Sequence, residues 1–598
     1  MPTVILTGLP VPGSPLAGEL RSLGFDVRTA AGPKESAAAL AGVPADQRVA
    51  VVDSAFVGHV HALRLALTDP RFDACAVTGA LSVQPGARPA LDEAAAKAAA
   101  LGPDGSGPYA DLLADTVEAA GTTVQRPELG TLVAAVPATE AEREAAKAAV
   151  AAVDDEAVRL RTAVKSRDGF FTTFFISPYS RYIARWCARR GLTPNQVTTA
   201  SLITALIAAG CAATGERWGY VAAGVLLLVS FVLDCTDGQL ARYSLQYSTM
   251  GAWLDATFDR AKEYSFYAGL ALGAARNGDD VWGLAVGAMV LMTCRHVVDF
   301  SFNEANHDAT ANTSPTAALS DKLDSVGWTV WVRRMIILPI GERWAMIAVL
   351  TAFTTPRIVF YALIVGCAFG ALYTTAGRVL RSLTRRAKRT DRAAQALADL
   401  TDSGPLAELQ ARLLRGRAGT FGSVYVAALG TVLIIGAALY LPFGDPRLIA
   451  AAVIYAMTAG LAVAAPLKGA LDWLIPPLFR AGEYVTVLVL AAKADVPGAL
   501  PAAFGLIAAV AYHHYDTVYR IRGGTGAPPH WLVRTIGGHE GRVLLTTVLA
   551  AVLVGRASDF PVALTVLAVF VAIVVLAESI RFWVSSGAPA VHDEGEPA

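Results

Sequence analysis

The chain has 598 residues, of which 54% are hydrophobic and 17% charged, and its formal net charge at pH 7 is zero. The mean hydropathy is +0.46. This composition argues against a single soluble domain, and we expect no nucleic-acid partner. The six cysteines form no CxxC pair, which argues against a zinc site and against a disulfide framework.

The first 150 residues predict a soluble α/β domain. Strand-like runs alternate with alanine-rich helical stretches, namely VILTGL from Val4, VAVVDS from Val49, ACAVTGA from Ala74 and TLVAAVPA from Thr131. Residues 140–165 then predict one charged helix leading to the membrane. Residues 1–10 lack a basic region and a long apolar run, so we expect no cleavable signal and an amino terminus in the cytoplasm.

The rest of the chain predicts a polytopic α-helical membrane protein. Residues 167–190 mix aromatic and arginine residues, which is typical of a helix in the membrane interface. Beyond them, apolar runs of about 17–22 residues recur, the length needed to cross a bilayer. About twelve spans are predicted, near residues 196–213, 217–234, 252–273, 281–298, 336–353, 357–376, 421–442, 447–466, 474–492, 499–515, 541–555 and 559–579.

Charged segments between the spans predict their orientation. Residues 377–420 carry ten arginines and lysines against four acids, which indicates a cytoplasmic loop after six crossings. Residues 513–542 are predicted as a polar loop on the same side. We expect a multi-pass protein of the cytoplasmic membrane with these segments: a cytosolic α/β domain (1–150), a linker and interfacial helix (151–191), a six-span core (192–380), a basic cytoplasmic linker (381–420), an additional six-span domain (421–580) and a disordered tail (581–598).

Four carboxylates stand close together in the run DCTDGQLARYSLQYSTMGAWLDATFD, residues 234–259. Asp234 and Asp237 share one helix face, and Asp255 and Asp259 share another. Like charges crowded at a membrane edge need cations, and hard oxygen ligands suit Mg²⁺, Mn²⁺ or Ca²⁺. We therefore predict one or two divalent ions at this site.

Small and basic residues separate the acids. Gly238, Ala241 and Gly251 would let a bulky nucleotide approach the helix backbones, and Arg242 offers a cation to a phosphate. The alternative is structural, since small residues in membrane helices often serve packing and a lone aspartate can bond a neighbouring helix. Four acids at these spacings favour the functional interpretation.

This pattern resembles the CDP-alcohol phosphotransferase family, whose signature is DxxDGxxAR, eight residues, then GxxxDxxxD. Every fixed position is present, without departure: Asp234, Asp237, Gly238, Ala241, Arg242, Gly251, Asp255 and Asp259. The run LTPNQVT from Leu192 is similar to the family's entry to its first span. The resemblance covers about residues 167–380.

The resemblance implies transfer of a phosphoalcohol from a CDP-linked donor to an acceptor hydroxyl, with CMP released. Asp234, Asp237 and Asp255 would hold Mg²⁺ or Mn²⁺, two ions, on the pyrophosphate, and Asp259 would complete the site and act as general base. The residues implied to contact the CDP group are Gly238, Ala241, Arg242, Gly251 and Asn195. Membrane lipids and a second copy in a homodimer are further implied partners.

The acceptor site has no signature of its own in the sequence. A set of basic residues near predicted cytoplasmic span ends could bind its phosphate, or serve membrane topology equally well: Arg260, Lys262, Arg295, Arg333 and Arg334. The domain order is similar to that of bifunctional inositol-phosphate cytidylyltransferase/phosphotransferase enzymes, which favours a polyol or inositol phosphate. Residues 7–14, however, lack a basic residue that could bind a triphosphate. The first domain is therefore predicted to be a degenerate nucleotidyltransferase-like domain. Asp53 is either a metal-binding acid or a buried strand end, and the second is favoured.

The carboxy-terminal half carries HHYDTVYR from His513 and GGHEGR from Gly537, which suit a metal or phosphate site but fit ordinary loop hydrogen bonding better. Glu483 lies either within a span or at its edge. Two rival functions remain. A cation-coupled transporter would use the aspartates for coupling ions, but no internal repeat is visible. A catalytically silent scaffold would need a broken signature.

Overall fold

The computed structural model describes residues 2–101, 107–165, 168–307, 335, 337–384, 388–414 and 422–585. The chain forms two compact units. The first comprises residues 1–167, 177–196 and 235–248, and the second residues 168–176, 197–234 and 249–598.

The amino-terminal part of the first unit contains a six-stranded mixed sheet in the order β2-β1-β3-β6-β5-β7 and a small β4-β8 pair. Pairing is parallel for β1 with β2 and β3 and for β5 with β7, and antiparallel for β6 with β3 and β5. The strands are β1 Thr3–Thr7, β2 Asp26–Ala30, β3 Val49–Asp53, β4 Val57–Gly58, β5 Ala74–Val77, β6 Ala80–Val83, β7 Val124–Gln125 and β8 Ala134–Ala135.

Both faces of this sheet are covered by helices, which confirms the predicted α/β domain. Alternate residues of β1 enter different cores, Ile5 on one face and Val4 on the other. The helices are α1 Leu16–Ser22, α2 Pro33–Ala41, α3 Val60–Thr68, α4 Arg88–Leu101, α5 Tyr109–Ala119, α6 Glu140–Ala151 and α7 Asp155–Thr162.

The predicted strands near Val4, Val49 and Ala74 are present, but the run from Thr131 gives only the two-residue β8. The sequence analysis missed β2, a polar strand that pairs only with β1 at the sheet edge. It also missed β6, which follows β5 through a tight turn. Gly79 at that turn has a φ of 77°, a conformation that favours glycine. The Thr-Gly pair was therefore the signal in the sequence for a hairpin turn.

The single helix predicted over residues 140–165 is wrong, because the structure has two helices with a break between them. The side chain of Asp154 accepts hydrogen bonds from the backbone N–H of Glu156 and Ala157. This N-cap starts α7 anew, since a carboxylate satisfies amides that would otherwise lack partners.

Asp53 serves as a structural cap in the α/β domain. Its carboxylate accepts hydrogen bonds from the backbone N–H of Tyr109 and Ala110, at 3.2 Å each, at the start of α5. These contacts account for a buried acid at the end of β3 without a metal ion.

The remaining described helices are longer and more apolar. They are α8 Ser177–Arg189, α9 Pro194–Ala213, α10 Arg217–Ser244, α11 Thr249–Arg276, α12 Trp282–Asn306, α13 Ile340–Phe353, α14 Pro356–Thr384, α15 Asp391–Leu400, α16 Pro405–Leu414, α17 Ser423–Tyr440, α18 Arg447–Ala462, α19 Ile475–Ala494, α20 Ala499–Arg522, α21 His530–Thr535, α22 Gly538–Val552 and α23 Phe560–Ser585. We call residues 391–585 the C-terminal helical block.

Seven segments in the described part of the chain are long and apolar enough to cross a membrane, which indicates a membrane protein. They are α9, α10, α12, α14, α17, and α19 and α23 with the short turns before them. The other predicted spans also fall on helices. Among these, α13 has only 14 residues, and α11 carries a cluster of charged residues that lowers its hydropathy.

The interfacial segment predicted at 167–190 contains α8 and, before it, a wide turn at Thr172–Ile176. Large aromatic side chains are exposed along it: Phe174, Phe175, Tyr179, Tyr182 and Trp186. Exposed aromatic rings beside arginines suit the boundary between lipid and water.

Two predicted connecting segments are more ordered than expected. The segment 381–420 contains α15 and α16, and Leu397 and Leu400 of α15 are buried. The polar loop predicted over residues 513–542 is wrong, because α20 continues to Arg522 and α22 begins at Gly538. Residues 581–585 of the predicted tail continue α23, and residues 586–598 lie outside the described part.

A buried ion network explains the polar residues of the C-terminal helical block. Arg480 donates to Glu483 at 2.8 Å, and Arg542 donates to Asp402 at 2.7 Å and also to Glu483. His513 contacts Asp402 at 3.1 Å. Glu483 is therefore buried within α19 and paired with two arginines. Oppositely charged groups offset one another here, because isolated buried charges would be costly.

We predict a pH dependence of stability that follows from the burial of the Asp53 carboxyl. Burial raises the pKa of this carboxyl from 3.8 to about 6, although two backbone N–H bonds oppose the rise. Its stabilising contribution is thus present below about pH 4 and is lost as the pH rises through about 6. Between pH 4 and pH 7, the free energy of unfolding of Asp53→Asn should therefore rise by up to about 3 kcal/mol relative to that of the wild type.

Hydrogen exchange of the β3 amides in the full chain, corrected for intrinsic rates, would measure this difference. His61, whose pKa burial lowers to about 4, titrates in the same range, but its effect cancels between the two proteins. A difference that stays constant with pH would contradict the prediction.

Candidate active site

The carboxy-terminal third of α10 and the first turns of α11 carry the acids of the signature. Asp234 and Asp237 are three residues apart on the continuous α10, so the helix fixes their relative position. Asp255 lies two turns into α11. One carboxylate oxygen from each of these three residues lies within 4.8 Å of the others. The structure therefore brings together three of the four aspartates predicted for the metal site.

Asp259 lies one turn after Asp255 on α11, but the cluster of three oxygens does not include it. Its carboxylate contacts Lys262 Nζ at 2.9 Å. The same ammonium group donates to Asp234, and at 3.2 Å to the hydroxyl of Ser201. Lys262 is 1% exposed. An ammonium group has three N–H donors, and here it forms hydrogen bonds with Asp234 and Ser201 and an ion pair with Asp259.

Lys262 changes the charge balance that the sequence suggested. From the sequence, Lys262 was predicted to be a ligand of the acceptor phosphate or a residue that serves membrane topology. In the structure it bridges Asp234 and Asp259 instead. Its spacing of three residues from Asp259 on one helix was the signal available. One ammonium offsets a single charge of the four carboxylates, so divalent cations still suit the site.

The three clustered carboxylates form a hard, all-oxygen donor set, which fits Mg²⁺ or Mn²⁺. The three carboxylates can bind one common cation, because their oxygens lie within 4.8 Å of one another and need little movement to reach it.

The residues predicted to contact CDP lie along α10, at the start of α11 and at the start of α9. Gly238 lies beside the guanidinium of Arg242, and an added Cβ there would be 3.5 Å from one of its nitrogens. Arg242 Nε donates to the carbonyl of Ala163 at 2.6 Å. Gly251 and Asn195 occupy the first turns of α11 and α9. Ala241 is partly buried.

The basic residues predicted for the acceptor phosphate have different surroundings. Arg260 is buried, donates to Glu263 at 2.7 Å and lies over the ring of Tyr515. Arg295 is buried and donates to the carbonyl of Ile337. The other two predicted ligands, Arg333 and Arg334, lie outside the described residues.

A substitution of Lys262 tests whether this residue competes with a divalent cation for Asp234. Lys262→Met should raise the affinity of the metal-free protein for Mn²⁺ at least about tenfold, because a nearby positive charge opposes a dication by more than about 1.4 kcal/mol. Electron paramagnetic resonance of free Mn²⁺ would measure this affinity. Lys262→Arg, which keeps the charge, should resemble wild type. Unchanged or weaker binding by Lys262→Met would contradict this assignment.

Two family models match the chain. The model described as CDP-alcohol phosphatidyltransferase matches residues 191–372, and one described as a family of unknown function matches residues 391–598. The first match contains all four aspartates of the signature. The second coincides with the C-terminal helical block and the tail that follows it.

Three curated relatives illustrate the similarity. An archaetidylinositol phosphate synthase from Pyrococcus horikoshii is 32% identical over 19% of this chain and 58% of its own. A phosphatidylinositol phosphate synthase from Mycolicibacterium smegmatis is 35% identical over 20% and 53%. A bifunctional IPC transferase and DIPP synthase from Aquifex aeolicus is 31% identical over 19% and 26%.

The chain thus spans between about a quarter and three fifths of the length of these relatives. The intact signature and the cluster of three carboxylates both lie within residues 191–372, the region that matches the family model described as CDP-alcohol phosphatidyltransferase.

Proposed function

We propose that this protein transfers a phosphoalcohol group from a CDP-linked donor to the hydroxyl of an acceptor and releases CMP. The observation that carries the proposal is the convergence of carboxylate oxygens from Asp234, Asp237 and Asp255 within 4.8 Å. Such a site suits a diphosphate, whose negative charge a carboxylate cluster can approach only through cations.

In this proposal, Asp234, Asp237 and Asp255 hold Mg²⁺ or Mn²⁺, two ions in the full complex. The bound metal would polarise the diphosphate and stabilise the charge that develops on CMP as it leaves. Gly238 is proposed to contact the donor beside Arg242, whose guanidinium lies next to it. The other residues proposed to contact the CDP group are Ala241, Arg242, Gly251 and Asn195.

Asp259 is the proposed general base. A carboxylate oxygen would take the proton from the acceptor hydroxyl as the new O–P bond forms, and the bond to the CMP oxygen would break. Lys262 holds this carboxylate through its contact of 2.9 Å and so fixes its orientation. Asp259 lies one helical turn from Asp255, which keeps the base beside the metal ligands without making it one of the three.

The proposed acceptor is an inositol phosphate, or a related polyol phosphate. Support comes from the names of the relatives, two of which are synthases of inositol phosphate lipids. Among the described basic residues, Arg295 is the one proposed to bind the acceptor phosphate. It is buried, and two of its nitrogens form no hydrogen bond within the described part of the chain. Arg260 and Lys262 are committed to ion pairs with neighbouring acids.

The proposed architecture keeps twelve spans in the cytoplasmic membrane, with the amino terminus inside. All twelve predicted spans coincide with helices, and seven meet the length and hydropathy that a span needs. The proposed segments are the α/β domain (1–150), the interfacial linker (151–191), the transferase core (192–380), the connecting segment (381–420) and the last six spans (421–580). The α/β domain is proposed to be a degenerate relative of a nucleotidyltransferase, and the protein a homodimer.

Release of CMP tests this function. Purified protein with Mg²⁺, inositol phosphate and either CDP-diacylglycerol or CDP-inositol should release CMP, and a chelator should abolish it. Asp259→Asn should lower kcat at least about a hundredfold, the scale of general base catalysis. Asp495→Asn, in an exposed turn far along the chain, is the matched control and should retain wild-type turnover.

The rival function is transport of a solute coupled to cations. It would be favoured if no donor and acceptor pair in a broad panel released CMP while the protein moved a solute across liposomes in a cation gradient. Loss of that movement in Asp234→Asn would then place the coupling ion at the same acids.

A further inference from the structure

Helix α11 has two opposite faces with different partners. Asp255, Asp259 and Lys262 follow one another at spacings of four and three residues and share the face that carries the proposed chemistry. Trp253 and Arg260 are seven residues apart and share the opposite face. Both are 8% exposed. The second face must therefore be covered by other parts of the protein.

Residues from the C-terminal helical block cover this second face. The guanidinium of Arg260 lies 5.1 Å from the ring centre of Tyr515 on α20. The ring of Trp253 stacks on Trp583 of α23, with centres 6.2 Å apart and an angle of 21° between their planes. Tyr515 and Trp583 are buried. Each contact joins a residue of the signature helix to one in the family of unknown function.

Tyr515 is itself held on more than one side. Its hydroxyl forms a hydrogen bond with His296 of α12, and its ring packs edge-on against Phe300 at 6.0 Å. Arg260 is fixed from the other direction by its ion pair with Glu263. The ring beneath Arg260 therefore has little freedom to move, since its edge and its hydroxyl both have partners.

Trp583 is held in a comparable way. Its indole Nε1 donates to Asp516 at 2.7 Å, and Ser579 donates to the same oxygen at 2.8 Å. Arg520 pairs with Asp516 and with Glu578, which ties α20 to α23. These buried charges have partners on both helices, so the two contacts on α11 come from one rigid pair of helices.

The ion network described above anchors α20 to the rest of the block. His513, two residues before Tyr515, contacts Asp402, and Asp402 pairs with Arg480 of α19 and Arg542 of α22. A shift of α20 would break these buried contacts, which is costly. The C-terminal helical block thus presents a fixed surface to α11.

We propose that the C-terminal helical block is a built-in support for the catalytic helix, and that Tyr515 and Trp583 are positioning residues. By fixing the rotation of α11, they set where Asp255 and Asp259 lie relative to Asp234. A small change in this rotation moves the carboxylate oxygens, and misplacement by about 1 Å can cost about a hundredfold in rate. This role rests on the proposed function for its effect on turnover, but not for its effect on cation binding.

The test measures Mn²⁺ affinity by electron paramagnetic resonance in the full-length protein in lipid nanodiscs, and kcat for CMP release in the same samples. Tyr515→Leu should weaken Mn²⁺ binding at least about fivefold and lower kcat at least about tenfold, with the KM for the donor within about twofold. Tyr515→Phe keeps the ring under Arg260 and should restore both values to within about threefold of wild type.

Trp583→Leu removes the second contact and should act in the same direction, which keeps the test decisive if Tyr515→Leu folds poorly. The matched control is Tyr425→Leu, because Tyr425 is an exposed aromatic residue of the same block on α17. Its Mn²⁺ affinity and turnover should equal those of wild type.

Wild-type Mn²⁺ affinity in both Tyr515→Leu and Trp583→Leu would overturn the proposed support. If these variants lost Mn²⁺ affinity while even the wild type released no CMP from any substrate pair, the support would stand and the transferase function would fail. A fall in thermal stability without any change in Mn²⁺ affinity would also overturn it, since a purely structural block would give that result.

Discussion

The crowding of four carboxylates onto two neighbouring helices is the constraint on which this protein depends. Like charges in a medium of low polarity repel strongly, so the acids can lie together only if cations offset them. Lys262 supplies one positive charge and bridges Asp234 and Asp259. The other acids, Asp237 and Asp255, converge with Asp234 on the place where a divalent cation fits. The proposed transfer of a phosphoalcohol group from a CDP-linked donor rests on this arrangement.

That constraint also shapes the packing around α11. A helix with acids and a lysine along one face gains little from burial in lipid, and it fails the hydropathy expected of a membrane span. Its second face compensates through aromatic and charged contacts, with Trp253 on Trp583 and Arg260 over Tyr515. The C-terminal helical block thus covers a helix that composition alone leaves poorly suited to the membrane. Its own buried charges are offset by the network around Asp402.

Much of this organisation was predictable from local patterns. The placement of Asp234 and Asp237 on one helix face follows from their spacing, the long apolar helices follow from runs of apolar residues, and β1, β3 and β5 follow from short strand-like runs. Asp53 was predicted correctly as a strand end, since its carboxylate caps α5. Each of these features depends on residues close together in the sequence.

The features that sequence reasoning missed depend on distant partners. The contact of Lys262 with Asp234 depends on the fold, because the two residues are 28 positions apart in the chain. Asp402 and Arg542 are 140 positions apart, so their ion pair was not visible, and the histidine of α20 was assigned to a loop. The edge strand β2 was not predicted for another reason. Its polar residues lack the alternation of apolar and polar side chains that marks a buried strand.

The most direct test of the central claim is to locate the cation. Anomalous diffraction, or density from cryo-electron microscopy, of the protein with Mn²⁺ and a CDP-linked alcohol should show metal bound by Asp234, Asp237 and Asp255, with Lys262 displaced from Asp234 toward Asp259. Metal bound elsewhere, or a CDP group bound away from these aspartates while Lys262 still bridges Asp234 and Asp259, would contradict the account.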